Sequence, residues 1–310
     1  MEYTTLGPSD FQVSRVGLGT WQFGSEGWGF GVDFTGEDAL NAVATALELG
    51  INLIDTAEIY GEGRSEELVG KAIRGRRDEV VIATKVSGGH LRRRDLLRAC
   101  EGSLRRLGIE TIDLYQVHWP NSYVPLEETM AALERLIEQG KIRFVGVSNF
   151  PVPLLKEAQR HFKHRIVANQ VRYNLLQRDI EKEILPYCQG QGIAIIAYSP
   201  LAQGLLSGRY DEKNLPQDKV REQNLLFRGE NLKRALEVVA ALREIGAAHG
   251  KSSAQVALRW LLEQEGVIAI PGAKRPEQVA ANAGAMGWSL APEERERLER
   301  LARDLKLSYL

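Results

Sequence analysis

Asp55, Tyr60, Lys85 and His118 offer a carboxylate, a phenol, an amine and an imidazole at the ends of three successive Val/Ile-rich runs. Asp55 closes the run from Ile51 to Ile54, and Tyr60 follows it in the segment Asp55-Thr56-Ala57-Glu58-Ile59-Tyr60-Gly61. Lys85 follows Val80 to Thr84, and His118 follows Ile112 to Val117. A phenol ionises near pH ~10 and is a weak proton donor at neutrality, but a neighbouring ammonium favours the phenolate and lowers that pKa. Lys85 is expected to supply this charge, with Asp55 holding Lys85 and offsetting its burial. Tyr60 then acts as a general acid toward an oxygen that becomes an alkoxide, and a neutral His118 orients the carbonyl in an oxyanion-hole role. No nucleophile–base pair of the Ser-His type is apparent, so the set suits a carbonyl attacked by a hydride from elsewhere. Lys85 also permits a different chemistry, the Schiff base of a barrel aldolase. Taken singly, each residue has an ordinary reading: an Asp at a strand end is often a helix cap or turn residue. Their joint placement carries the functional one. The other histidines, His90, His161, His164 and His249, have no such placement and are expected on the surface.

For these residues to meet, the runs must end on one face. Eight β-rich runs, at 16–20, 51–54, 80–84, 112–117, 142–147, 166–170, 193–198 and 267–270, alternate with amphipathic segments. They are nearly continuous in apolar residues, as strands buried on both faces are. Leu126, Met130, Leu133 and Ile137 mark one helical stripe, and Leu96, Leu97, Cys100, Leu104 and Leu107 another. Gly50, Gly108, Gly140 and Gly192 fall where helices should stop. Eightfold alternation predicts a (β/α)8 TIM barrel of class α/β, in which strand C-termini converge on the catalytic face. No divider rich in Pro, Gly or Ser is seen, so residues 1–310 read as one domain.

Additions to a minimal barrel are also legible. Tyr3 to Leu6 and Phe11 to Ser14, around Gly7-Pro8, predict an N-terminal β-hairpin plugging the barrel bottom. A long insertion after strand 7 holds a polar stretch at 210–228, read as structureless, and two helical patterns. Leu298, Leu301 and Leu305 mark a C-terminal helix, and a Gly- and aromatic-rich loop, Trp21 to Gly31, follows the first strand.

The formal net charge of −1 and a charged content of 26% give no sign of a nucleic-acid or anionic-membrane surface. No apolar stretch reaches membrane-spanning length. Two cysteines, Cys100 and Cys188, follow no metal or redox spacing, and no metal site is expected. The start Met1 to Thr5 lacks the features of a signal peptide. The expectation is a cytoplasmic protein with a small-molecule partner; the sequence leaves the oligomeric state open.

Beyond single residues, the chain resembles the aldo-keto reductases in an ordered series of motifs. Gly17-Leu18-Gly19-Thr20-Trp21, Ile54 to Gly61 and Ser65-Glu66-Glu67-Leu68-Val69-Gly70 match the opening pattern. Thr84-Lys85, Asp113-Leu114-Tyr115, His118-Trp119-Pro120, Gly146 to Phe150, Asn169-Gln170, Tyr198 to Leu201 and Ile270 to Ala273 continue it. The resemblance implies a TIM barrel that binds NADPH without a Rossmann fold, and no Gly-x-Gly-x-x-Gly opens a βαβ unit here. It implies that Asp55, Tyr60, Lys85 and His118 form a catalytic tetrad reducing aldehydes or ketones. Ser148, Asn149 and Gln170 would hold the nicotinamide carboxamide and Tyr198 would stack on its ring. Ser199, Leu201, Gly204 and Leu205 would border the pyrophosphate. Thr20, Trp21, Gly272, Gln278 and Asn282 join the expected cofactor residues.

Many family members carry a basic residue where Gln278 stands and an acid where Ala281 stands. Here Lys274 and Arg275 are adjacent before a predicted helix start, a combination suited to the 2′-phosphate of NADPH. Trp21, Trp28, Phe30 and Trp119 are expected to line the substrate pocket and to favour an apolar or aromatic carbonyl. Arg221 and Arg228 read as surface charges, although either turned inward would suit an anionic substrate. A second functional reading is an NADPH-sensing regulatory subunit resembling the potassium-channel β subunits.

Overall fold

The computed structural model describes residues 1–303. The chain opens with two antiparallel strands, β1 (Tyr3–Thr5) and β2 (Gln12–Ser14). Eight parallel strands follow: β3 (Leu18–Gly19), β4 (Leu53–Asp55), β5 (Val81–Val86), β6 (Ile112–Val117), β7 (Ile142–Ser148), β8 (Ile166–Arg172), β9 (Ala194–Tyr198) and β10 (Val267–Ala269). They pair in chain order from β3 to β10. Parallel bridges Val16–Ala269 and Gly19–Gly272 join the two ends, so the sheet closes and no edge remains. This is the (β/α)8 barrel that the alternation predicts.

Six helices each follow one strand: α1 (Gly36–Glu48), α2 (Arg64–Ala72), α3 (Arg93–Leu107), α4 (Leu126–Glu138), α5 (Val152–Arg160) and α6 (Ile184–Gln191). Local chemistry fixes their ends. Thr35 and Asp38 form a capping box at the start of α1, while Gly108 and Gly192 adopt the left-handed conformation that ends α3 and α6. The apolar stripes face the sheet: Leu96, Cys100 and Leu107 of α3 and Met130, Leu133 and Leu136 of α4 are buried in the layer between helices and strands.

The two-residue period of a strand decides what points into the barrel. Leu53 on β4, Val81 and Ala83 on β5, Leu114 on β6, Ala168 on β8 and Ile196 on β9 fill the interior with Leu6 and Val13 of the hairpin segment. Ile54, Ile82 and Tyr115, one residue out of phase, pack outward against the helices. Leu6 therefore plugs the bottom, as expected. Gly7 permits this close approach, because a Cβ there would lie 2.0 Å from the Val167 carbonyl oxygen. One period further along the same strands, the inward positions become Asp55, Lys85, Gln116, Gln170 and Tyr198. The apolar plug thus passes directly into a polar layer near the strands' C-terminal ends.

The long connection between β9 and β10 contains α7 (Lys219–Glu222), α8 (Gly229–His249) and α9 (Ser253–Leu262). The stretch 210–228 is not structureless: besides α7 it holds a 3-10 turn at Leu225–Phe227, and Tyr210, Leu226 and Phe227 are buried. These apolar residues are sparse and lack a helical period, so the polar composition of the stretch conceals them. After β10 come α10 (Pro276–Ala283) and α11 (Pro292–Arg303). Leu298 is buried on α11, and the Leu305 of the predicted stripe lies outside the described residues.

Candidate active site

Asp55 ends β4, Lys85 lies on β5, and His118 follows β6, so parallel pairing of these three strands carries all three to one rim. Tyr60 enters from the turn between β4 and α2. The Lys85 ammonium uses its three hydrogens on Asp55 Oδ1 at 2.5 Å, the Thr56 carbonyl at 2.8 Å and Tyr60 Oη at 3.2 Å. Tyr60 Oη accepts that bond, which leaves its own hydrogen to donate elsewhere. The second oxygen of Asp55 accepts from Gln170 Nε2 at 2.7 Å and Gln116 Nε2 at 3.4 Å. His118 stands edge-on to the Tyr60 ring with centroids 5.6 Å apart. The four residues singled out by type and spacing are thus brought together.

Burial tends to strip the Lys85 ammonium of its proton, but Asp55 and then Tyr60 outweigh it and hold the pKa above the ordinary lysine value. A lysine so protonated and tied on three sides is a poor amine nucleophile, which removes the basis for the Schiff-base chemistry. For Tyr60 the expected sign is reversed. Lys85 does pull the phenol's pKa down, yet burial pushes it up more strongly, with Asp55 and Tyr198 adding to the rise. Tyr60 therefore holds its proton at neutral pH. Burial, with help from the Lys85 charge, drives the His118 pKa down to about 3, so its imidazole is neutral. Its Nδ1 is buried without a hydrogen-bond partner.

A groove of about 1360 Å³ runs from this cluster along the barrel rim. Ser148 and Asn149, at the end of β7, form part of its wall. Ser148 Oγ donates to the Gln170 carbonyl at 2.9 Å and lies 3.0 Å from Asn149 Nδ2, while Tyr198 Oη donates to Asn149 Oδ1 at 3.0 Å. Thr20, Trp21, Ser199, Leu201, Gly204, Gly272, Lys274, Gln278 and Asn282 also line it. Ser199, Ala202, Gln203 and Gly204 have positive φ, a cluster of left-handed backbone beside the groove that costs free energy at the non-glycine positions.

Several expected residues lie elsewhere. Leu205 is fully buried in the core, and Phe30 packs edge-on against Phe34 at 5.4 Å and outside the groove wall. Arg275 is exposed, donates to the Asp33 carbonyl and does not line the groove. Arg221, by contrast, turns inward, and the surface reading of it is corrected. Its Nε donates to the Gln203 carbonyl at 2.7 Å, its Nη1 to Asp218 at 2.6 Å, and its guanidinium lies 4.8 Å from the Trp28 ring centroid. Arg228 remains exposed, bonded to the Glu222 carbonyl. Arg209 and Arg172 also reach the wall without a signal in the sequence pattern.

Lys274 lines the same end and donates to the Trp28 carbonyl. Burial first, and then the neighbouring Arg221 charge, lowers its pKa despite opposition from Asp33 and Asp218. This end of the groove is suited to an anion. Trp21, Ile59 and Trp119 line the groove with Tyr60 and His118, and the Trp21 ring meets edge-to-face, at 4.9 Å, the Trp28 ring that lies against Arg221. Polar wall, cationic end and left-handed backbone together fit a dinucleotide phosphate. Among the described residues there is no cluster of side chains fit to hold a metal and no helix long and apolar enough to cross a membrane.

Residues 15–303 match the family described as "Aldo/keto reductase family". The chain is 41% identical to an uncharacterised oxidoreductase of Mycobacterium tuberculosis over 292 residues, covering 94% of this chain and 90% of that one. It is 38% identical to the aldo-keto reductase YhdN of Bacillus subtilis over 309 residues, covering 96% and 92%. Among solved structures, an aldo-keto reductase of Klebsiella pneumoniae in complex with NADPH is 34% identical and superposes with a TM-score of 0.79, covering all of both chains.

Proposed function

The chain belongs to the aldo/keto reductase family and is an oxidoreductase, and from that premise we propose that it reduces aldehydes or ketones to alcohols with NADPH, using Tyr60 as proton donor. The observation that carries the reading is the Tyr60 hydroxyl, which accepts a bond from Lys85 and keeps its own proton at the groove. The dinucleotide, when bound, supplies the hydride. Ser148, Asn149 and Gln170 would hold its carboxamide, and Tyr198 would support its ring. Because Gln170 gives its amide N–H to Asp55, its carbonyl is the end left for a carboxamide donor. Lys274 and Arg221, rather than Arg275, would take the 2′-phosphate, with Arg209 as a further cation along the groove.

Tyr60 donates its proton to the carbonyl oxygen as that oxygen gains charge. The resulting phenolate is left 3.2 Å from the Lys85 ammonium, whose charge Asp55 in turn balances. His118, being neutral, orients the carbonyl by one hydrogen bond without adding charge. Trp21, Ile59 and Trp119 present a largely apolar surface to the substrate, which favours an apolar or aromatic carbonyl. The relatives described above carry reductase and oxidoreductase names, which favours turnover over a sensing role. Two buried free thiols, Cys100 and Cys188, suit a reducing cytoplasmic setting. NADPH consumption measured over a panel of aldehydes and ketones tests the reading. Tight NADPH binding without turnover on any of them would instead support a sensor.

A further inference from the structure

Ser65 lies fully buried in the first turn of α2. A serine near a helix start ordinarily caps the helix, but the N-cap of α2 is Gly63, which offers no side-chain cap. The Ser65 hydroxyl is engaged elsewhere. It lies 2.8 Å from Thr20 Oγ1 and 2.9 Å from Thr56 Oγ1, and it reaches the Thr20 carbonyl at 3.0 Å. Thr20 Oγ1 donates to the Asp55 carbonyl at 2.9 Å.

Each hydroxyl has one hydrogen to give. The hydrogen of Thr20 serves the Asp55 carbonyl and that of Ser65 points to Thr20, where both the carbonyl and Oγ1 are within reach, so the contact between Thr56 and Ser65 takes its hydrogen from Thr56. The relay starts on Thr56, whose own carbonyl accepts the Lys85 ammonium at 2.8 Å, and it ends on the carbonyl of Asp55. It therefore encloses the peptide that carries both holders of Lys85. All three hydroxyls are sealed from solvent. Burying them is costly compared with methyl groups of similar size, and what they supply in return is a fixed orientation.

We propose that Ser65 is a positioning residue for the reaction: through Thr20 and Thr56 it sets the Asp55–Thr56 peptide so that Lys85 is held against Tyr60. The inference rests on the reading of Tyr60 as proton donor. Ser65 touches neither the groove nor the reacting groups and acts only through that peptide.

Three variants test it in the full-length protein with NADPH and an aldehyde found to be turned over. Ser65→Ala and Thr56→Val each break the relay, whereas Thr56→Ser keeps its hydroxyl. Rates are normalised to NADPH-binding sites counted by fluorescence titration, so that partial unfolding is not read as slow chemistry. The first two variants should lose about tenfold in kcat with little change in KM for NADPH, since a small misplacement of catalytic groups acts on the chemical step. Their solvent deuterium isotope effect on kcat should rise, because proton transfer becomes slower. Thr56→Ser should restore both values. If Ser65→Ala does not fold, the Thr56→Val and Thr56→Ser pair decides alone. Unchanged kcat and isotope effect in folded Ser65→Ala, or equal impairment in Thr56→Ser and Thr56→Val, overturns the proposal. Absence of NADPH-dependent turnover in the wild-type protein overturns the functional reading instead, and the proposal falls with it.

Discussion

Lys85 Nζ lies 2.5 Å from Asp55 Oδ1, and both side chains are sealed from solvent. A buried pair of this kind is held by mutual compensation, since either charge alone would be stranded in a poor dielectric. Asp55→Asn should therefore destabilise the protein by about 3–5 kcal/mol in urea unfolding, whereas adding Lys85→Met to it should recover part of that loss. Additive losses in the double variant would show that the two side chains act independently.

Tyr60→Phe removes the proton donor and retains the ring. The expected kcat is lower by about 10²–10⁴-fold, the usual contribution of a general acid, with NADPH affinity by fluorescence largely preserved. Near-normal turnover in this variant would rule out Tyr60 as the donor.

Arg221 and Arg275 separate two accounts of cofactor choice. Arg221→Ala should lower kcat/KM for NADPH by roughly tenfold or more, as expected for loss of a charge-assisted contact, and should affect NADH much less. Arg275→Ala should have a small effect on either, because that side chain is exposed and tied to the Asp33 carbonyl. A wild-type preference for NADH would contradict a 2′-phosphate site altogether.

His118 predicts a pH dependence of stability. Its pKa falls from 6.5 to about 3 on folding, so between these values the unfolded chain binds the extra proton. Its contribution is fully present above pH 6.5 and is lost as the pH falls toward 3, at up to about 1.4 kcal/mol per pH unit. Urea unfolding between pH 7 and 4 should show a shallower loss in His118→Gln than in wild type. Parallel curves would mean that His118 takes up its proton in the folded state as readily as in the unfolded one.

The sequence by itself determined the barrel and the clustering of Asp55, Lys85 and His118 for one geometric reason, with Tyr60 carried beside them by the turn that follows Asp55. Parallel strands of period two send residues of one parity inward, so Leu53 and Asp55, or Ala83 and Lys85, share a side and differ only in height. The repeated apolar runs carry that information locally, and the motifs around them carry the family. The rest depended on the tertiary structure. Sequence context favours Arg275 as the phosphate ligand and Arg221 as a surface charge, but the packing of 210–228 against Trp28 turns Arg221 inward while Arg275 stays exposed. Leu205 is drawn into the core and Phe30 packs, partly buried, against it, because loop apolar residues have no period to reveal which side they face. The sign of the Tyr60 shift required knowing how deeply the phenol is buried as well as which charge stands beside it. The relay through Thr20, Ser65 and Thr56 joins two strand ends to a helix start, a juxtaposition made by closing the barrel and by no local preference.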